Sequence, residues 1–136
     1  MSITSIPFVK HIGITQSNET TLSLTNHKTV HNHIGTMHAA ALYALAETQS
    51  GLFLQNTFRS QSDNVLPLLR HSSIKYKHPA ESTVYAKAYA DTDTLEKFEK
   101  QFAHKGRATI TVQVELSDAD GQTVLIGEFG WFVQSI

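Results

Sequence analysis

The sequence predicts an α+β domain in which an antiparallel sheet packs on one long, buried helix. Three observations predict it. The stretch Asn32 to Leu54 holds a run of almost wholly small or apolar residues. Strictly alternating segments follow it, as half-buried strands require. The order of the chain, with strand character before the helix and four strands after it, matches a sheet laid on a helix rather than alternating βαβ units.

The helix is read from His38 to Leu54, about four to five turns. Apolar residues surround it instead of forming a single stripe, so burial is expected over most of its circumference. Thr36 is taken as the N-cap, since its hydroxyl can accept from a first-turn amide. After His38 the only ionisable residue in the helix is Glu47. A carboxylate in such surroundings needs a partner or a raised pKa. Tyr43 and Gly51 lie one turn to either side and share its face.

Ile3 to Ile14 reads as a helical turn followed by a strand, and Thr20 to Thr25 alternates as a half-buried strand. Asn56 to Asn64 is a turn-rich loop. Leu68 to Lys77 alternates up to Pro79, with Arg70, Ser72, Ile74 and Tyr76 on one face. Thr83 to Ala90 sets Val84, Ala86, Ala88 and Ala90 against Tyr85, Lys87 and Tyr89. Between this strand and the next, Asp93 with Glu96 suggests a capping box. There Leu95, Phe98 and Phe102 form one helical face and Gly106 ends it. Ala108 to Leu116 is the cleanest alternation. Asp120-Gly121 signals a hairpin, returning through Thr123 to Val133.

Composition narrows the function. A chain of 136 residues with net charge -1 carries no basic field for nucleic acid. It has no cysteine, hence no disulfide, thiolate metal site or cysteine nucleophile. No apolar run reaches membrane-span length and no signal pattern opens the chain, so a cytoplasmic protein without a membrane partner is expected. His27, His31, His33 and His38 crowd into one short stretch, but without HExxH spacing, and no metal is assigned. His31-Asn32-His33 lacks the context and basic balance of an HNH nuclease.

The run Asn32-x-x-Gly35-x-x-His38-Ala39-Ala40-Ala41-Leu42-x-x-Leu45-Ala46-Glu47 resembles the acyl-CoA thioesterases of the phenylacetate-pathway type. The Gly-Thr-Met-His-Ala-Ala-Ala form with Leu-Ala-Glu is closer still to a less characterised thioesterase-like hotdog branch. Ser73-Ile74-Lys75-Tyr76-Lys77-His78-Pro79-Ala80 is similar to the strand after the helix in that superfamily. The likeness covers roughly residues 30 to 133. It implies a hotdog fold over residues 1–136, a curved antiparallel sheet wrapped around the central helix, followed by a four-strand meander.

It implies, further, that Glu47 is the general base or nucleophile and Asn32 orients water or substrate. The Ala39 amide would hold the thioester oxygen, with His38 supporting that loop or the carbonyl. Gly35 in the loop and Tyr43 on the helix join Lys77 and Arg107 as candidate substrate contacts. The two cations, like Arg70, Lys75 and Lys105, suit coenzyme A phosphates, and equally suit solvated strand edges. No cofactor is implied beyond coenzyme A as part of the substrate.

Glu47 lies about 9 residues, or roughly 13 Å, along the helix from His38. In hotdog dimers each site combines one subunit's helix start with the other's carboxylate, so at least a homodimer, and in related families a tetramer, is expected. Two departures stand out. Ala39-Ala40 replaces the family's Gly-Gly, and Leu69 falls where relatives place Ser or Thr. Hydrolysis of an acyl-CoA or acyl-carrier-protein thioester is the first reading. A non-catalytic acyl-CoA or fatty-acid binder is the second. A hotdog dehydratase or hydratase is weaker, because its His-x-x-x-x-x-x-Pro-Gly pattern is absent.

Overall fold

The computed structural model describes residues 2–59 and 64–136. In chain order it places a 3-10 turn (Ile3–Ser5), α1 (Pro7–Ile12), β1 (Thr15–Asn18) and β2 (Thr21–Leu24). A second 3-10 turn (Lys28–Val30), α2 (Ala39–Thr57), β3 (Val65–Tyr76) and β4 (Val84–Tyr89) follow. The chain ends with α3 (Thr92–Lys105), β5 (Arg107–Asp118) and β6 (Thr123–Ser135). Part of the loop expected at Asn56 to Asn64 lies outside the described residues, and α2 itself runs on to Thr57.

All six strands join one antiparallel sheet, in the order β1-β2-β4-β5-β6-β3. The sheet curves around α2, which packs against β2, β3, β4, β5 and β6. This is the expected α+β hotdog architecture. The helix is buried around most of its circumference, with Leu45 and Ala46 fully enclosed. The alternation on β5 holds as read: Ala108, Ile110, Val112, Val114 and Leu116 all face the core.

Four local expectations are corrected. First, the strands after α2 are not a four-strand meander. β4, β5 and β6 are consecutive neighbours, but β3 crosses to the far edge and pairs with β6. Alternation reveals which face a strand buries and is silent about its neighbour. Second, Arg70 does not share a face with Ser72. A register shift between Leu69 and His71 marks a bulge there. The inward positions therefore pass from Val65 and Leu69 to Ser72 and Ile74, while the Arg70 guanidinium stacks 4.2 Å from the Phe132 ring centroid. Third, α3 is capped by Asp91, whose carboxylate accepts from the Thr94 amide at 2.7 Å, and not by Asp93. Its C-terminus is Gly106, as expected, with φ +69°. Fourth, the N-cap of α2 is His38 and not Thr36: His38 Nδ1 accepts from the Ala40 amide at 2.9 Å.

Gln49 fixes α2 to the first hairpin. It is 2% exposed. Its Oε1 accepts from the Leu22 amide at 2.9 Å, and its Nε2 donates to the Thr20 carbonyl at 2.6 Å. On the adjoining face, Trp131 Nε1 donates to Ser50 Oγ at 2.9 Å and ties the helix to β6. Three directional bonds on two faces about 100° apart thus set the rotation of a helix whose apolar surface alone would not choose one.

Gln49→Leu keeps the volume and orphans the buried Leu22 amide. A loss of about 1–3 kcal/mol is expected, read as a lowered urea midpoint. An unchanged midpoint would show that Gln49 does not hold the helix.

Candidate active site

The loop leading into α2 is built on Asn32. Its Oδ1 accepts from the Ile34 and Thr36 amides, each at 3.0 Å. Its Nδ2 donates to Thr36 Oγ1 at 2.7 Å, and its backbone amide donates to the Thr36 carbonyl at 2.8 Å. Gly35 makes this tight turn possible, since its φ of +81° is a region other residues avoid. The loop is then pinned from outside. The Met37 amide donates to the Ala80 carbonyl at 2.8 Å, and the His38 amide to the Val30 carbonyl at 2.7 Å.

This loop delivers the start of α2 in a defined state. His38 takes the Ala40 amide, and the Ala41 and Leu42 amides both reach the His38 carbonyl. Among the described residues, no acceptor meets the Ala39 amide. Ala39 and Ala40 are exposed. A free, outward amide at a helix N-terminus is a place for negative charge. Tyr76, at the end of β3, donates its hydroxyl to the Ala39 carbonyl at 3.2 Å. Burial pushes the Tyr76 phenol up, and proximity to Tyr43 pushes it further.

Glu47 stands two turns further along α2. It is half-buried, and burial raises its carboxyl above the ordinary carboxylate value. No side chain or amide among the described residues bonds to its carboxylate. It opens onto a cavity of about 650 Å³ between α2, the N-terminal segment and the β3–β6 edge. One turn back, the Tyr43 hydroxyl pairs with Ser72 Oγ at 2.9 Å, and its ring meets Phe129 edge-on at 5.6 Å. Ser72 is thus the β3 hydroxyl that meets α2, while Leu69 pairs with Trp131 on the other side of the bulge.

The structure therefore brings Asn32, Gly35, His38 and Ala39 together in one loop and sets Glu47 apart. Ala39 and Glu47 are eight residues apart on one helix, about 12 Å. Lys77 follows β3, its amide donating to the Val124 carbonyl at 2.9 Å. Arg107 opens β5 opposite Gln134, which in turn faces Leu66 at the other end of β3. Roughly 35 Å of strand separates the two cations, so one subunit does not bring them to the same phosphate. Two of the four crowded histidines have structural roles: His27 Nε2 pairs with the Ile12 carbonyl at 2.9 Å, and His38 caps α2. Among the described residues, no three His, Asp or Glu side chains gather as a metal site would require.

Two features of the site escaped the sequence reading. Ser72 and Tyr76 share a face in the β3 alternation, and that signal marks them as helix-facing. The walls supplied by Ile3, Ile6, Phe8 and Val9 left a weaker signal, a short apolar stretch opened by Pro7.

A curved antiparallel sheet wrapped on a central helix defines the hotdog fold. The chain belongs to the DUF4442 family, a domain of unknown function, which it matches over residues 3–133. No curated protein sequence matches it. Among solved structures, it is similar to a Pseudomonas aeruginosa protein of unknown function called a probable thioesterase. The TM-score is 0.84 and the identity 23%, over 98% of this chain and 91% of that one. A Chlorobaculum tepidum protein of unknown function aligns with TM-score 0.82 and 16% identity, over 97% and 88%. A Bacillus halodurans protein crystallised with CoA aligns with TM-score 0.71 and 20% identity, over 93% and 74%. Among the described residues, no helix is long and apolar enough to cross a membrane.

The raised Glu47 pKa has a signed consequence. Folding disfavours its ionised form, so native stability falls as pH rises from the ordinary glutamate value through the raised one. Glu47→Gln removes that loss. The variant is expected to be more stable than wild type at about pH 8, with the gap closing at about pH 4, as measured by urea unfolding. A variant less stable at the higher pH would mean that the carboxylate is paired.

Proposed function

We propose that the protein hydrolyses an acyl thioester carried by coenzyme A or an acyl carrier protein, in sites shared between two subunits. The observation that carries the reading is Glu47: a half-buried carboxylate with raised pKa and no partner among the described residues, facing a largely apolar cavity. A structural carboxylate would be paired, whereas a base must keep its lone pairs free.

In this reading, Glu47 of one subunit takes a proton from water, and the hydroxide adds to the thioester carbonyl. The Ala39 amide of the other subunit donates its N–H to the developing oxyanion, helped by the helix dipole. Collapse breaks the carbon–sulfur bond, and the proton held by Glu47 passes to the departing thiolate. Asn32 holds the loop that aims the amide; its second Nδ2 hydrogen remains for water or substrate. His38 holds the first turn, and Lys77 suits a coenzyme A phosphate.

The dimer is supported by the sheet edge. β3 pairs only with β6 among the described residues, and this long edge exposes Leu66, Leu68 and Tyr76. An edge of that length and apolarity calls for a covering partner. The likeness in fold to a protein crystallised with CoA supports the ligand class. A cytoplasmic setting accords with a carrier-bound substrate.

Thiol release from a panel of short, medium, long and aromatic acyl-CoAs tests the reaction. Wild type is expected to turn over at least one member, and Glu47→Gln none. Binding without turnover in wild type would make the protein an acyl-CoA or fatty-acid binder instead.

Ala39→Pro tests the amide. Ala39 is the first helical residue, where proline is favoured, and His38 already has the extended backbone (φ -60°, ψ 139°) that a following proline demands. The substitution deletes the N–H and little else. A fall in kcat of about 10²–10³-fold is expected, with an unchanged urea midpoint. Unimpaired kcat would remove Ala39 from the site.

A further inference from the structure

The cavity beside Glu47 has a direction. Its helical wall is Glu47, Thr48, Gly51, Leu54, Gln55 and Phe58, one stripe along a single helix face. Glu47 is the first of these, and the wall runs from it toward the helix C-terminus for about 16 Å. Trp131 and Val133 of β6, with Val65 and Pro67 of β3, form the floor. Ile3, Phe8 and Val9 close the outer side. The carboxylate stands at one end of the stripe, and apart from Thr48 and Gln55 the lining beyond it is apolar.

Gly51 sits in the middle of that stripe. Glycine is a poor helix residue and has positional meaning inside a well-formed helix. A methyl there would stand 3.4 Å from Ile3 Cδ1 and 3.9 Å from the Trp131 ring, ordinary contact distances. A longer side chain would project into the cavity about 6 Å along the axis from Glu47. The missing side chain keeps the stripe continuous from the carboxylate to Phe58.

We infer that this cavity is a chain-length ruler for an unbranched acyl group of about ten to fourteen carbons, with Gly51 as the residue that keeps it open. The inference rests on the thioesterase reading for the carbonyl end and on the cavity alone for the chain. An extended alkyl chain advances slightly over 1 Å per carbon, so about 16 Å of helix face accommodates a chain of that size. A close-packed chain of that length occupies well under 650 Å³, which leaves the cavity large enough without rearrangement. Short or monocyclic aromatic acyl groups would leave most of the apolar wall unfilled. Each methylene added within the ruler is expected to tighten binding about threefold to fourfold.

Calorimetric affinities of non-hydrolysable S-alkyl-CoA thioethers, from butyl to octadecyl, test the ruler independently of turnover. In wild type, affinity is expected to climb to the ten-to-fourteen-carbon range and then level or fall. In Gly51→Leu, the ratio of dodecyl to butyl affinity should collapse at least tenfold. Gly51→Ala, a substitution the helix favours, should move the optimum down by one or two carbons and covers the case in which the leucine variant does not fold. A flat affinity series in wild type, or an unchanged optimum in Gly51→Ala, overturns the ruler. A climbing series with no hydrolysis of the matching esters would leave the ruler standing and remove the hydrolase reading.

Discussion

The rise of an α-helix keeps the Ala39 amide and the Glu47 carboxylate about 12 Å apart. Both groups belong to α2, and the helix is held rigidly in place by Gln49 and Ser50 on adjoining faces. No movement of a side chain brings them to one carbonyl. Much else follows from this separation. In the proposed shared site, the helix start is presented outward by a rigid loop, the carboxylate has no partner among the described residues, and the β3 edge meets a second copy.

Local chemistry answers each requirement. Asn32 spends its side chain on its own turn, so the loop does not depend on a ligand for its shape. His38 satisfies the Ala40 amide and leaves the neighbouring one free. The two alanines that replace glycines here are exposed, and their methyl groups do not crowd the interior. Burial raises the Glu47 pKa, and the same carboxylate lines the cavity.

Much of the fold was legible in the sequence, because burial imposes periodicity. The all-round apolar α2 and the alternation of β5 left no second interpretation. β1 was not legible: Thr15–Asn18 is exposed throughout, so nothing in its pattern distinguishes strand from loop. The bulge at Arg70 and the pairing of β3 with β6 depend on a partner strand remote in sequence, and a single segment cannot encode them visibly. The caps failed for a different reason. Thr36 and Asp93 are good capping residues, but His38 and Asp91 occupy the positions where the chain turns from extended to helical. For the site, the family resemblance marked Glu47, Asn32 and the Ala39 amide, whereas the free state of that amide and the cavity required the assembled backbone.

The shared site is the central claim, and mixing two inactive variants tests it most directly. Ala39→Pro and Glu47→Gln subunits, co-expressed under different affinity tags, form heterodimers in which one site carries both defects and the other carries neither. Purified heterodimer is expected to recover about half of wild-type turnover, although each parent is inactive alone. Heterodimers no more active than their parents would contradict the account and place the amide and the carboxylate in separate, unrelated roles.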